Sequence, residues 1–241
     1  MRFVGRFCVG VKRLWCSVVI ILAGCATQSA VQPDEILPMY GQPGMARSAE
    51  QQRHDEEFIK QAEANFSGSR ERASTALWRE GDAQMSRSNF DLAMKLYNQS
   101  WLLNPNNYQP YWGFGRVMAQ REKPDEAIPH LEKSLQLIDD PYQKVALLSD
   151  MAMVYSRKAF YTPKENTKER GRWFQLANRN FEESTRMDSS YPNSWRGWAR
   201  SLFMEGRYSE AWDKVKKARA LGASFPPSFM KSLEEKMPEP K

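Results

Sequence analysis

The chain has 241 residues, 41% hydrophobic and 27% charged, an ordinary globular balance and enough for one folded domain. Its formal charge of +6 is concentrated at the start: residues 1–24 carry Arg2, Arg6, Lys12 and Arg13 with no acid, leaving 31 basic against 29 acidic residues beyond them. That near balance removes the main support for nucleic-acid binding, which needs a clustered basic face.

A basic start, Met1–Arg13, is followed by the apolar run Leu14–Leu22 and then Ala23-Gly24-Cys25. Nine such residues are too few for a membrane-spanning helix, which takes about 20, so residues 1–24 read as an export signal. Leu22-Ala23-Gly24-Cys25 resembles the bacterial lipobox, in which the cysteine thiol receives diacylglycerol before cleavage ahead of it. Cys8, Cys16 and Cys25 all lie in or at the end of this leader, so cleavage leaves one thiol and no disulfide. The resemblance implies a covalent lipid on Cys25 and no other cofactor. Ala26 at the next position implies delivery to the outer membrane, facing the periplasm; a plain signal peptide with a chance cysteine is the alternative.

Residues 25–46 hold Pro33, Pro38, Pro43, Gly41 and Gly44 and few bulky apolar groups, which predicts a tether able to reach roughly 60–65 Å when drawn out. Residues 47–73 then supply a flanking helix, Arg47–Phe66, with Phe58, Ile59, Ala62 and Phe66 as one apolar stripe, ended by Gly68 and Ser69. It is expected to cover the first repeat, with a partner-binding arm as the other reading.

From residue 74 the chain repeats. Ala93 and Ala127 lie 34 apart, as do Gly81 and Gly115, Ser100 and Ser134, and Ala177 and Ala211. A fixed period of this size marks a solenoid of stacked units. With residue 74 as position 1, small residues fall at position 8 (Gly81, Gly115, Ala152, Ala199), position 20 (Ala93, Ala127, Ala177, Ala211) and position 27 (Ser100, Ser134, Ser184, Ala218). Large ones stand between them, with Tyr97, Leu131, Phe181 and Val215 at position 24. The repeats run near 74–107, 108–144, 145–191 and 192–221, each a pair of antiparallel helices hiding its apolar face against its neighbours. Pro226-Pro227 opens a capping helix in the last segment, 222–241, with Phe229, Met230 and Leu233 turned inward.

Gly81, Ala93, Tyr97, Asn104-Pro105-Asn106-Asn107, Trp195, Trp198, Gly206, Tyr208, Ala211 and Ala218 resemble the tetratricopeptide repeat (TPR) pattern, and the similarity covers about residues 74–221. The resemblance implies an all-α fold: an α-solenoid of about four TPR hairpins between the flanking and capping helices. Three departures stand out. Repeat 1 has Glu80 and Gln84 where large apolar residues are usual, and Pro124 replaces an aromatic in repeat 2. Repeat 3 is longer, with Ala127 and Ala177 lying 50 apart. About three extra residues fall near Tyr142–Lys144 and about 13 in Ala159–Gly171. Thr162-Pro163-Lys164-Glu165 has the form of a capping box, which predicts a longer hairpin whose second helix starts near Pro163, its tip a contact site or a spacer.

Catalytic chemistry has little to draw on. His54 and His130 stand alone and are expected at the surface, without Cys or carboxylate at metal-ligand spacing. Gly113-Phe114-Gly115 superficially looks like a phosphate loop, but Gly115 already serves as the repeat's small residue. The chain is therefore expected to have no catalytic or metal site.

In such a solenoid the first helices line a concave face. The expected groove holds Trp78, Asp82, Trp112, Arg116, Arg196, Arg200 and Phe203, and Trp and Arg are enriched at binding hot spots. The other reading has Trp78 and Trp112 packing on the flanking helix, with Arg196 and Arg200 as ordinary solvated neighbours. The functional expectation is a lipid-anchored TPR scaffold that docks an envelope protein or peptide, with no nucleic acid among its partners. The alternatives are an accessory lipoprotein that regulates a cell-wall enzyme or binds peptidoglycan, and a pilotin-like lipoprotein for secretin or pilus assembly.

Overall fold

Serine, asparagine, aspartate and proline punctuate the chain into helices. The structure is a computed structural model and describes residues 47–240; the expected signal peptide 1–24, the tether 25–46 and Cys25 lie outside the described residues. The helices are α1 (Ala49–Asn65), α2 (Arg70–Ser86), α3 (Phe90–Leu103), α4 (Tyr108–Gln120) and α5 (Pro124–Leu137), followed by α6 (Pro141–Tyr161), α7 (Thr167–Met187), α8 (Pro192–Glu205), α9 (Tyr208–Ala220) and α10 (Pro227–Lys236). Among the described residues there is no strand. Side-chain caps satisfy the first amides of several helices: Ser48 on α1, Ser69 on α2, Asn107 on α4, Asp140 on α6 and Asn166 on α7. Helices α5, α6, α8 and α10 instead or additionally open with proline at the first position, where its missing N–H costs nothing.

The fold is an all-α, solenoid-like repeat. Helices pack consecutively, α2 on α3, α4 on α5, α6 on α7 and α8 on α9, and the first helices α2, α4, α6 and α8 also touch in series. Ala93, Ala127, Ala177 and Ala211 all have no exposed surface, each at the same place on the second helix of its hairpin. Equivalent residues thus occupy equivalent environments.

The same equivalence is written in hydrogen bonds. Ser100 Oγ donates to the carbonyl of Ser74 at 2.7 Å, Ser134 Oγ to that of Tyr108 at 3.0 Å, and Ser184 Oγ to that of Val145 at 2.8 Å. In each hairpin the small polar residue of the second helix ties back to the backbone where the first helix begins its repeat. A neutral bond of this kind contributes about 1 kcal/mol and fixes the sliding register of the two helices. In the fourth hairpin Ala218 keeps the close packing without the bond.

Glycines explain the closest approaches. A Cβ on Gly81 or on Gly113 would lie 2.6 Å from carbons of the Tyr97 ring, so that ring is wedged between α2 and α4. A Cβ on Gly115 would strike Leu131 at 2.5 Å. Gly113-Phe114-Gly115 is accordingly a packing device within α4, not a loop. The turns between paired helices repeat as well: Ser88, Glu122 and Gly206, all at position 15, adopt positive φ of 62°, 59° and 88°. Only the last is glycine, the residue that tolerates this conformation without Cβ strain.

The two ends are closed. On α1, Ala62 is buried and Phe58, Ile59 and Phe66 pack with Ala73, Leu77 and Leu103, as the apolar stripe predicts. At the other end Leu233 of α10 is fully buried with Phe229 and Met230 beside Trp212, whose Nε1 donates to the carbonyl of Met237 at 2.9 Å.

Three expectations need correction. Thr162 does not cap α7: it ends α6, with its Oγ1 donating to the Lys158 carbonyl, and Asn166 caps a helix that starts at Thr167. The insertion therefore lengthens both helices of the third hairpin to 21 residues each. Second, the first helix of that hairpin starts at Pro141, so a boundary near 145 falls inside it, and α2 likewise starts at Arg70 and not at 74. Third, His130 is not a surface histidine; its ring packs edge-on against Phe114 with centroids 5.4 Å apart. Burial lowers its pKa to about 4, with Glu126 pulling the other way. Gln84, at a place where large apolar residues are usual, is buried and held by Glu80 and Asn89.

Candidate functional site

The residues expected to line the groove divide into three groups. Asp82 of α2, Trp112 and Arg116 of α4 form one connected unit that sequence reasoning left incomplete. Trp112 is only 7% exposed: its face stacks on Trp78 with centroids 6.4 Å apart, and its Nε1 donates to Asp150 of α6 at 2.8 Å. Arg116 is ion-paired and hydrogen-bonded to Asp82, lies 3.7 Å from Asp150, and sits over the Trp112 ring at 6.0 Å. One arginine thereby links the first helices of three successive hairpins. Burial works against its cation, but Asp150 and Asp82 more than offset that, and its pKa is raised. Around Asp150, burial raises the carboxyl pKa while Arg116 and the Trp112 N–H pull it down; the net direction is upward. Its side chain is nonetheless 43% exposed, because it stands on the floor of an open trough.

Two corrections follow. Trp112 was expected in the groove but is buried, its stacking and N–H used inside the protein, and Arg116 lines the recess with its charge already paired. Phe203 was expected in the groove as well. It packs instead against Tyr208 and Phe229, with centroids 5.7 and 5.5 Å away, as part of the C-terminal core.

Arg196 and Arg200 stand apart from that unit. Both are exposed on α8, one turn apart, and neither makes an ion pair among the described residues. They line a recess of about 290 Å³ whose other walls are Met85, Arg116, Ala119, Gln120, Leu131, Asp150, Met153, Val154 and Arg157. A smaller recess of about 150 Å³ continues it, sharing Asp150, Met153, Arg196 and Arg200 and adding Ser149, Tyr191, Asn193 and Gly197. Helices α2, α4, α6 and α8 all contribute, so this is the face shared by the first helices.

Arg157 was missed in the sequence. It lies one residue past Ser156, which is fully buried and donates to Ala152 O and Ser201 Oγ. Arg157 Nη1 donates to the Ala119 carbonyl at 2.7 Å and meets no carboxylate among the described residues. Burial, and then the Arg157 and Arg196 cations, hold the Arg200 guanidinium below its ordinary pKa. Asp150 was missed for the same reason: α6 starts early and turns a different face to the trough. Continuing the i+3, i+4 spacing from Ala146 finds Asp150, Met153 and Arg157 together.

Among the described residues no group of three or more His, Cys, Asp or Glu gathers at metal-binding distance, and no helix is long and apolar enough to cross a membrane. Fold and recess together define an all-helical, solenoid-like repeat protein with a recess lined by Arg116, Arg157, Arg196 and Arg200. Set against family models and against curated proteins, the chain matches none.

Proposed function

We propose that this chain is a docking scaffold of the bacterial cell envelope, a TPR-type adaptor held to the membrane by lipid on Cys25 and receiving a partner polypeptide in the trough of α2, α4, α6 and α8. The observation that carries the reading is the trough's continuity across four hairpins together with the unneutralised Arg196 and Arg200 at its rim. Charges that stabilise a fold are paired, as Arg116 is. Like charges one turn apart repel mildly, and an anionic partner relieves that cost. The anchor rests on the order of basic start, short apolar run and Leu22-Ala23-Gly24-Cys25 in the sequence. No set of groups that could carry catalysis is part of the reading; the chemistry is recognition.

Site-specific photo-crosslinking in living bacteria tests it. A crosslinker at Gln120 or Asn193, exposed residues that line the two recesses, should capture one common partner; one at Glu182, exposed on α7, should not. Capture should disappear in the Arg196→Glu, Arg200→Glu background. Crosslinks that form from Glu182 alone contradict the trough as the docking face. For the anchor, Cys25→Ser should release the protein from the membrane fraction, and normal membrane retention contradicts it.

A further inference from the structure

We infer that Arg157, Arg196 and Arg200 form a carboxylate-binding subsite, and that the segment it takes is an extended peptide carrying acidic side chains next to an apolar one. Three guanidinium groups converge on one recess from two helices, α6 and α8, and none is matched by a carboxylate among the described residues. Arg157 is already oriented by the Ala119 carbonyl, so little ordering remains when an anion arrives. A planar guanidinium offers paired N–H donors that fit the two oxygens of a carboxylate.

The rest of the wall selects the ligand's other features. Met85, Leu131, Met153 and Val154 give the recess an apolar lining suited to an aliphatic side chain. Methionine adapts its shape to such a guest more readily than branched residues do. Asp150 stands at the same recess, 3.7 Å from Arg116 and 43% exposed. A compact polyanion such as a phosphate chain would bring dense negative charge against Asp150. A peptide can space its single charges, setting carboxylates on the α8 side while an apolar side chain lies over Met153.

This ligand class rests on the docking reading above, and the two fail separately. Crosslinks from Gln120 and Asn193 report whether anything docks; peptide selectivity reports what chemistry is read. The test uses the purified full chain and fluorescein-labelled hexapeptides, Glu-Glu-Leu-Leu-Glu-Glu against Gln-Gln-Leu-Leu-Gln-Gln, followed by anisotropy. The acidic peptide should bind at least about tenfold more tightly, and the preference should shrink as salt is raised. Arg200→Glu should abolish the preference, and Arg200→Lys should keep part of it, since a lysine retains charge without the paired donors. The double variant Arg196→Gln, Arg200→Gln removes charge without adding any, and covers the case in which Arg200→Glu does not fold. Replacing the leucines by glycine should weaken binding further. Equal binding of the acidic and amide peptides overturns the inference. So does tripolyphosphate binding more tightly than the acidic peptide, which would assign the recess to phosphate.

Discussion

The two ends of the trough are built from corresponding helices of different repeats, yet they use charge in opposite ways. Toward α2 and α4, Asp82, Arg116, Asp150 and Trp112 satisfy one another, and their arrangement binds three hairpins together. Toward α8, Arg196 and Arg200 face outward without a counter-ion, and their neighbour Arg157 adds to the repulsion. A residue type at a groove position therefore says little until its partners are known. Arginine is ion-paired into the fold at one end and without an ion pair among the described residues at the other.

Substitutions should separate the ends. The largest effect is expected at Trp112→Ala, which empties a buried site and leaves Asp150 without its N–H donor; a loss of about 3–5 kcal/mol in chemical denaturation is predicted. Gly113→Ala should cost about 1–3 kcal/mol, because the new methyl meets both edges of the Tyr97 ring. Arg116→Ala leaves two carboxylates facing each other without their cation. Since all three side chains are partly exposed, solvent screening limits the loss to about 1–2 kcal/mol. Arg196→Glu and Arg200→Glu, by contrast, should change stability by no more than about 0.5 kcal/mol while removing partner binding. A large stability loss at Arg200, or unchanged stability at Arg116, would erase the distinction.

Acidity sharpens the same contrast from within the core. Unfolded histidine titrates near 6.5 and His130 in the folded protein near 4, so the unfolded chain takes up the proton first as pH falls. The stability that His130 contributes is complete above pH 6.5 and is lost between about 6.5 and 4, by roughly 3 kcal/mol. His130→Gln should flatten that part of the stability profile relative to wild type. An identical slope in the two proteins contradicts the assignment. A small effect of the opposite sign is expected at Tyr97→Phe. The Tyr97 hydroxyl is buried with no hydrogen-bond partner among the described residues, so its removal should be neutral or stabilising by up to about 1 kcal/mol.

The repeat was legible in the sequence because packing enforces it. Ala93, Ala127, Ala177 and Ala211 recur where helices touch, and a larger side chain has nowhere to go. The stripe of Phe58, Ile59 and Ala62 and the inward face of Phe229 and Leu233 were legible for the same reason. The trough was legible only in part. Arg196 and Arg200 could be placed because α8 follows the regular repeat from Pro192. Asp150 and Arg157 could not, since α6 is longer and its trough face departs from the idealised positions. Phe203 was misread because α10 covers the end of α8, a tertiary event that repeat spacing does not encode. Thr162 was misread because threonine followed by proline suits the end of one helix as well as the start of another.

The most direct test of the divided trough is a map of backbone amide chemical-shift changes as the acidic hexapeptide is titrated into the full chain. Shifts should concentrate at residues 149–157 of α6 and 193–200 of α8, with α3 and α9 undisturbed. Shifts centred on Trp78 and Trp112, or spread over the second helices of the hairpins, would contradict it.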